Sequence, residues 1–93
     1  MATITQNGNC WELQGDILMD GANQLLVKSK ALTMSDGALI DFSQVIEIDT
    51  SAVSLMLEWR RWAIAENKQL SFVNLPAGLT SLAALYGVAD LVS

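Results

Sequence analysis

No histidine occurs in the 93-residue chain. Ser-His and Cys-His nucleophile pairs are therefore excluded, and so are imidazole metal ligands. A single cysteine, Cys10, cannot form an intramolecular disulfide, which suits a reducing compartment. Basic residues are scarce: 5 Lys and Arg face 10 Asp and Glu, for a net charge of −5. Nucleic acid and anionic membrane surfaces are bound by clustered cations. The only basic clusters are Lys28/Lys30 and Arg60/Arg61, so neither activity is expected. The glycines at positions 8, 15, 21, 37, 78 and 87 form neither GxxxxGK[ST] nor GxGxxG. No window approaches the ~20 apolar residues of a membrane span. The opening MATITQNGN is polar and has no signal-peptide hydrophobic region. A soluble cytoplasmic protein without a metal or cofactor is the expectation.

What the chain does have is apolar surface. Hydrophobic residues make up 52% and charged residues 16%, against about 25% charged in an ordinary domain. A chain of this length forms one domain, residues 1–93, and buries roughly 65% of its unfolded surface. Its composition is too apolar for disorder and points to a partner. The mean hydropathy, +0.35, says the same.

Asn7-Gly8-Asn9 separates Thr3-Ile4-Thr5-Gln6 from Cys10-Trp11-Glu12-Leu13. Asn-Gly favours the tight turn of a β-hairpin, and Gly15-Asp16 is expected to end the second strand. Asp20 can cap a helix whose apolar positions are Ala22, Leu25, Leu26 and Leu32. Met34-Ser35-Asp36-Gly37 reads as a turn, 38–42 as a buried strand, and 50–67 as the longest helix. A second buried strand covers 70–75. Pro76 then suits the first turn of a closing helix, with Leu79, Leu82, Ala83 and Tyr86 facing inward, Gly87 at its end, and 88–92 packed back on the core. Strands alternating with helices imply an α/β fold with parallel pairing.

Between residues 41 and 53 the chain reads Asp41-Phe42-Ser43-Gln44-Val45-Ile46-Glu47-Ile48-Asp49-Thr50-Ser51-Ala52-Val53. This segment resembles the signature of the STAS family of sulfate-transporter and anti-sigma-antagonist domains, roughly D-L-S-x-V-x-x-[IV]-D-[ST]-[SG]-[GA]-[LV]. The closing Leu79-x-x-Leu82-x-x-Leu85-Tyr86-Gly87 is similar to the family's last helix. Glu47 and Ala52 depart from it, where the family prefers an apolar residue and a glycine. The resemblance implies a STAS fold: a mixed sheet of about four strands, an N-terminal hairpin and packed helices, with Asp41 and Asp49 as the acidic motif residues. It also implies two alternatives for function. The MlaB-type branch is a small cytoplasmic subunit of a phospholipid ABC transporter, peripheral to the inner membrane through its complex. There the residue matching Thr50 lies at the docking surface for an MlaF-like ATPase. In anti-sigma factor antagonists, the residue matching Ser51 is phosphorylated by a partner kinase. Ser51 and Thr50 are thus the possible phosphosites, and Asp49-Thr50 is closer to the MlaB version.

Read without the family, Asp49-Thr50-Ser51 sits where a strand hands over to a helix, and any of the three can cap it. A phosphate on Ser51 would be tolerated by the helix dipole and would add up to about two negative charges. Around the long helix, Val53, Met56, Leu57 and Ile64 share one side, and Leu55, Trp59 and Trp62 extend the apolar arc to roughly 220°, wider than the stripe of a little over 100° that faces a core. Trp59 or Trp62 can fold against Trp11 or the C-terminal tail. A partner can equally cover them, since tryptophan is an over-represented interface anchor. The second reading places a contiguous partner surface on Thr50, Ser51, Leu55, Trp59 and Trp62, through which the chain would homodimerise when its partner is absent. Cys10 reads as a half-buried strand residue, and no reaction is assigned to this chain.

Overall fold

The computed structural model describes residues 2–85, apart from the side chain of Ala83. The expectations for Tyr86, Gly87 and 88–92 lie outside the described residues. Seven elements follow one another: β1 (Thr3–Asn7), β2 (Cys10–Ile17), α1 (Met19–Ser29), β3 (Ala38–Ile48), α2 (Thr50–Ala65), β4 (Leu70–Val73) and α3 (Ala77–Leu85). The strands form one sheet in the order β1-β2-β3-β4. The first pair is antiparallel and the other two are parallel. This is the mixed four-stranded α/β arrangement expected from the alternation of strands and helices. No helix among the described residues is long and apolar enough to cross a membrane.

The hairpin turns at Gly8, whose φ of 63° is the left-handed conformation that glycine adopts without strain. Gly15 does not end β2. It has a φ of 90° and sits at an irregularity where β2 shifts register against β3. The extra residue there belongs to β3, where Ile46 is skipped between Gly15↔Val45 and Asp16↔Glu47, and the pairing runs on to Ile17↔Ile48. The strand expected at 38–42 likewise extends to Ile48.

Successive strand side chains point to opposite faces. The register places Trp11 opposite Ile40 and Ile40 opposite Phe72, all on one face with Ile4 and Leu13. Consecutive crossovers of the usual right-handed sense, moving one way across the sheet, put α1 and α2 on that same face. There Ala52, Val53, Leu55, Met56, Trp59 and Ala63 of α2 close the core. Arg60 stays at its margin. Its guanidinium donates to the Leu70 carbonyl at 2.9 Å and lies 5.4 Å above the Phe72 ring, so its head is engaged rather than simply solvated.

Asp20 does not cap α1. The N-cap position falls two residues earlier, on Leu18, which has no side-chain acceptor. The acceptor comes from 30 residues away: Asp49 Oδ2 receives the Met19 amide at 2.9 Å.

Candidate functional site

β3 delivers Asp49 to the edge of the core, where its backbone N–H donates to the Ile17 carbonyl at 3.2 Å. In extended conformation, φ −132° and ψ −167°, Asp49 is the N-cap of α2. Oδ1 accepts the Ser51 amide at 2.8 Å and also the Ser51 hydroxyl. With Met19 on Oδ2, one carboxylate serves the first turns of two helices. These donors, the Ser51 hydroxyl first, hold the Asp49 carboxyl below the usual aspartate range against an opposing desolvation.

At the motif's other end, Asp41 accepts the Ser43 amide and the Asn74 side-chain amide, both at 2.9 Å, and the Ser43 hydroxyl at 3.1 Å. The Asn74 bond, followed by the Ser43 amide, pulls its carboxyl below the ordinary value. Asn74 adopts φ 56°, a left-handed turn residue that closes the segment after β4. Both motif aspartates are therefore tied into the fold.

Thr50 is exposed and Ser51 is half-buried. Beside them α1 and α2 diverge into an open groove of about 160 Å3. Ala22 and Leu26 of α1 and Leu55 of α2 line its apolar part, and Asn23, Ser51, Ser54 and Glu58 complete it. Glu58 is paired with Arg61, one turn along α2. The α1 side of the groove was not anticipated from the sequence. Ala22 and Leu26 carry the right helical spacing there, but spacing alone does not say which helix they will face.

The expected exposed ridge of Leu55, Trp59 and Trp62 requires correction. Leu55 is 4% exposed and Trp59 is 0% exposed. The Trp59 indole N–H donates to the Ser29 hydroxyl at 2.9 Å, which in turn donates to the Leu26 carbonyl at 2.6 Å. Trp59 also meets Trp11 edge-on, with ring centroids 5.9 Å apart. Trp62 is half-buried, 5.5 Å from the Trp11 ring, and donates to Glu66. At Leu55 and Trp59 the arc of α2 is covered, by α1 and by Trp11 of the sheet, whereas Ile64, expected on the inner side with Val53 and Met56, is 67% exposed. Trp59 is thereby removed from any docking or dimer surface, and Leu55 contributes only where it lines the groove.

Cys10 is half-buried, and burial first, then the Asp41 and Glu12 carboxylates, push its thiol above the ordinary value. That is the opposite of an activated thiolate. Among the described residues, no group of three or more His, Cys, Asp and Glu is placed to hold a metal ion.

A family model described as "Mlab, STAS domain" matches residues 2–93. No curated protein sequence matches the chain significantly. Among solved structures, the anti-sigma factor antagonist SpoIIAA in its unphosphorylated form superposes with a TM-score of 0.67 at 13% identity, covering 91% of this chain and 83% of that one. The crystal structure of Mglu superposes with a TM-score of 0.60 at 20% identity, covering 81% of this chain but only 20% of that one. The present chain thus corresponds to about a fifth of Mglu. At these identities the likeness is one of fold.

Proposed function

The chain belongs to the MlaB-type STAS domain family, and on that premise we propose that it is a non-catalytic docking subunit. Its partner is the cytoplasmic ATPase of a phospholipid ABC transporter, and it associates with the inner membrane only through that complex. The observation that carries the reading is an apolar groove between α1 and α2 whose lining includes Ser51, the chain neighbour of the exposed Thr50. A partner side chain seated on Ala22, Leu26 and Leu55 would remove apolar surface from water at about 25 cal/mol per Å2. The polar groups of Asn23 and Ser54 around it, with Thr50 next to Ser51 in the chain, would set orientation, as the polar rim does in protein interfaces generally. Trp62 remains a candidate contact only through its half-exposed part, whereas Trp59 supports the site from inside.

The test is a binding titration with the ATPase subunit. Thr50→Glu and Ser54→Arg alter exposed side chains and leave the core untouched. Each is expected to weaken binding at least tenfold while thermal stability is retained. Full binding by both variants would remove Thr50 and the groove from the interface.

The fold match to SpoIIAA favours a second reading, an anti-sigma factor antagonist controlled by a kinase. Ser51 is then the phosphosite, with Thr50 the more accessible hydroxyl of the two. Incubation with a cognate serine kinase, followed by mass spectrometry, separates the two readings. Phosphate on Ser51 supports the second; an unmodified chain that binds the ATPase supports the first.

A further inference from the structure

We propose that Asp49 is a positioning residue that couples the Ser51 hydroxyl to the first turn of α1, so that the two walls of the groove respond together. The carboxylate has two oxygens and three donors. Oδ1 holds the Ser51 amide and hydroxyl, and Oδ2 holds the Met19 amide at 2.9 Å. Its own backbone is fixed by the bond to the Ile17 carbonyl. The carboxylate cannot rotate toward one helix without loosening its hold on the other.

The electrostatics point the same way. A helix N-terminus carries partial positive charge equivalent to about half an elementary charge. α1 has no acidic or hydroxyl N-cap of its own, because Leu18 occupies that position. Asp20 adds a charge in the first turn of α1, but the carboxylate that accepts an N–H from the first turn of both helices is Asp49. Removing the hydroxyl donor at Ser51, modifying it, or drawing it into a partner contact changes what Oδ1 receives and with it the orientation of Oδ2. Met19 lies 30 residues away in sequence, on the helix that contributes Ala22, Asn23 and Leu26 to the groove. An event at Ser51 is thus transmitted to the opposite wall. The relevance of this link to docking rests on the proposed function; the link itself does not.

Two substitutions test it in the full chain without any partner. Ser51→Ala removes the hydroxyl and keeps the amide donor. Met19→Pro removes the α1 donor at the first helical position, where proline is tolerated. Leu18 before it is already extended at φ −119° and ψ 163°, as a residue preceding proline must be. Met19 is 73% exposed, so little packing is lost. Amide hydrogen exchange is read residue by residue.

In Ser51→Ala the Met19 amide is expected to exchange at least about twofold faster, the low end for residues in one hydrogen-bond network. In Met19→Pro the Ser51 amide should accelerate comparably, because coupling is reciprocal. Amides at the far end of α1, such as Val27, should not move. An unchanged Met19 amide in Ser51→Ala overturns the proposal, and so does an equal acceleration at every amide, which would report only lost global stability. In a second arm the ATPase subunit is added. Met19→Pro should weaken its binding although no groove side chain is altered. Unaltered binding alongside positive exchange results would refute the docking reading and leave the coupling intact.

Discussion

Ser29→Ala gives the sharpest check on where Trp59 lies. The Ser29 hydroxyl is 0% exposed and accepts the Trp59 indole N–H at 2.9 Å. Deleting it leaves a buried indole donor with no partner among the described contacts, and an orphaned buried donor costs about 1–3 kcal/mol. The Leu26 carbonyl, which the hydroxyl also served, still accepts the Lys30 amide at 3.3 Å. Alanine is the better helix former by a few tenths of a kcal/mol, which offsets part of the loss. The net expectation is a destabilisation of about 1–2 kcal/mol. At about 4–8 °C per kcal/mol in a domain of 60–100 residues, that corresponds to a fall in Tm of roughly 4–16 °C.

Urea denaturation followed by circular dichroism measures the change directly, and a double-mutant cycle assigns it. Trp59→Phe removes the donor, after which Ser29→Ala should cost much less than it does in the wild type. A coupling of at least about 0.5 kcal/mol is expected for two residues sharing a buried hydrogen bond. If Ser29→Ala falls within about 0.5 kcal/mol of wild type, as a surface substitution does, the Trp59 indole is not held as described. Strict additivity in the cycle would say the same. Either result would show that the Ser29 hydroxyl does not hold the Trp59 indole in place.

Acid should act through Asp41 and Asp49. Both carboxyls are held below the ordinary aspartate value in the folded chain, so their contribution is present above the unfolded-state pKa of about 3.9 and is lost as pH falls through the lower folded values. Stability should therefore be flat from these groups near neutrality and fall below about pH 4, with a shallower fall in Asp41→Asn; equal acid slopes in urea titrations would contradict this. The two left-handed asparagines, Asn67 at φ 59° and Asn74 at φ 56°, should respond differently to glycine. Asn67→Gly should be close to neutral in thermal melts. Asn74→Gly should be destabilised by about 1 kcal/mol or more, because it also breaks the bond to Asp41. Equal melting temperatures for the two variants would show that the Asp41–Asn74 bond contributes nothing.

Much of the fold was legible because its signals are local. The hairpin around Gly8 and the strand–helix alternation each follow from residues adjacent in sequence, and the structure bears both out, while Pro76, expected in the first turn of the closing helix, lies one residue before α3. The misreadings were of two kinds. Gly15 looked like a terminator because a glycine with positive φ can end a strand or sit within one opposite a bulge in its neighbour, and only pairing with β3 decides between them. Trp59 looked exposed because a helical wheel shows the width of an apolar arc but not how many layers cover it. The covering depends on Trp11 and Ser29, 48 and 30 positions away in sequence. The same holds for α1: Asp20 offered a cap nearby, and Asp49 supplied one from across the fold.

The motif divides its work between holding and presenting. Asp41 fastens the segment after β4, and Asp49 fastens α1 and α2, so both carboxylates are already occupied by donors of their own chain. A partner that took either one would have to replace these hydrogen bonds before gaining anything, a poor exchange when each is worth about 1 kcal/mol net. Recognition is cheaper at groups not committed in this way: the exposed Thr50 side chain and the Asn23 and Ser54 groups along the groove. Glu58, the charged residue there, is partly neutralised by Arg61, which lowers the demand for a cation opposite it. A complementary partner surface should then be an apolar projection flanked by hydroxyl- or amide-seeking groups rather than a basic patch. Its binding should accordingly weaken little between low and physiological salt, since few charges would be screened. A steep salt dependence of ATPase binding would place the contact elsewhere on this acidic domain.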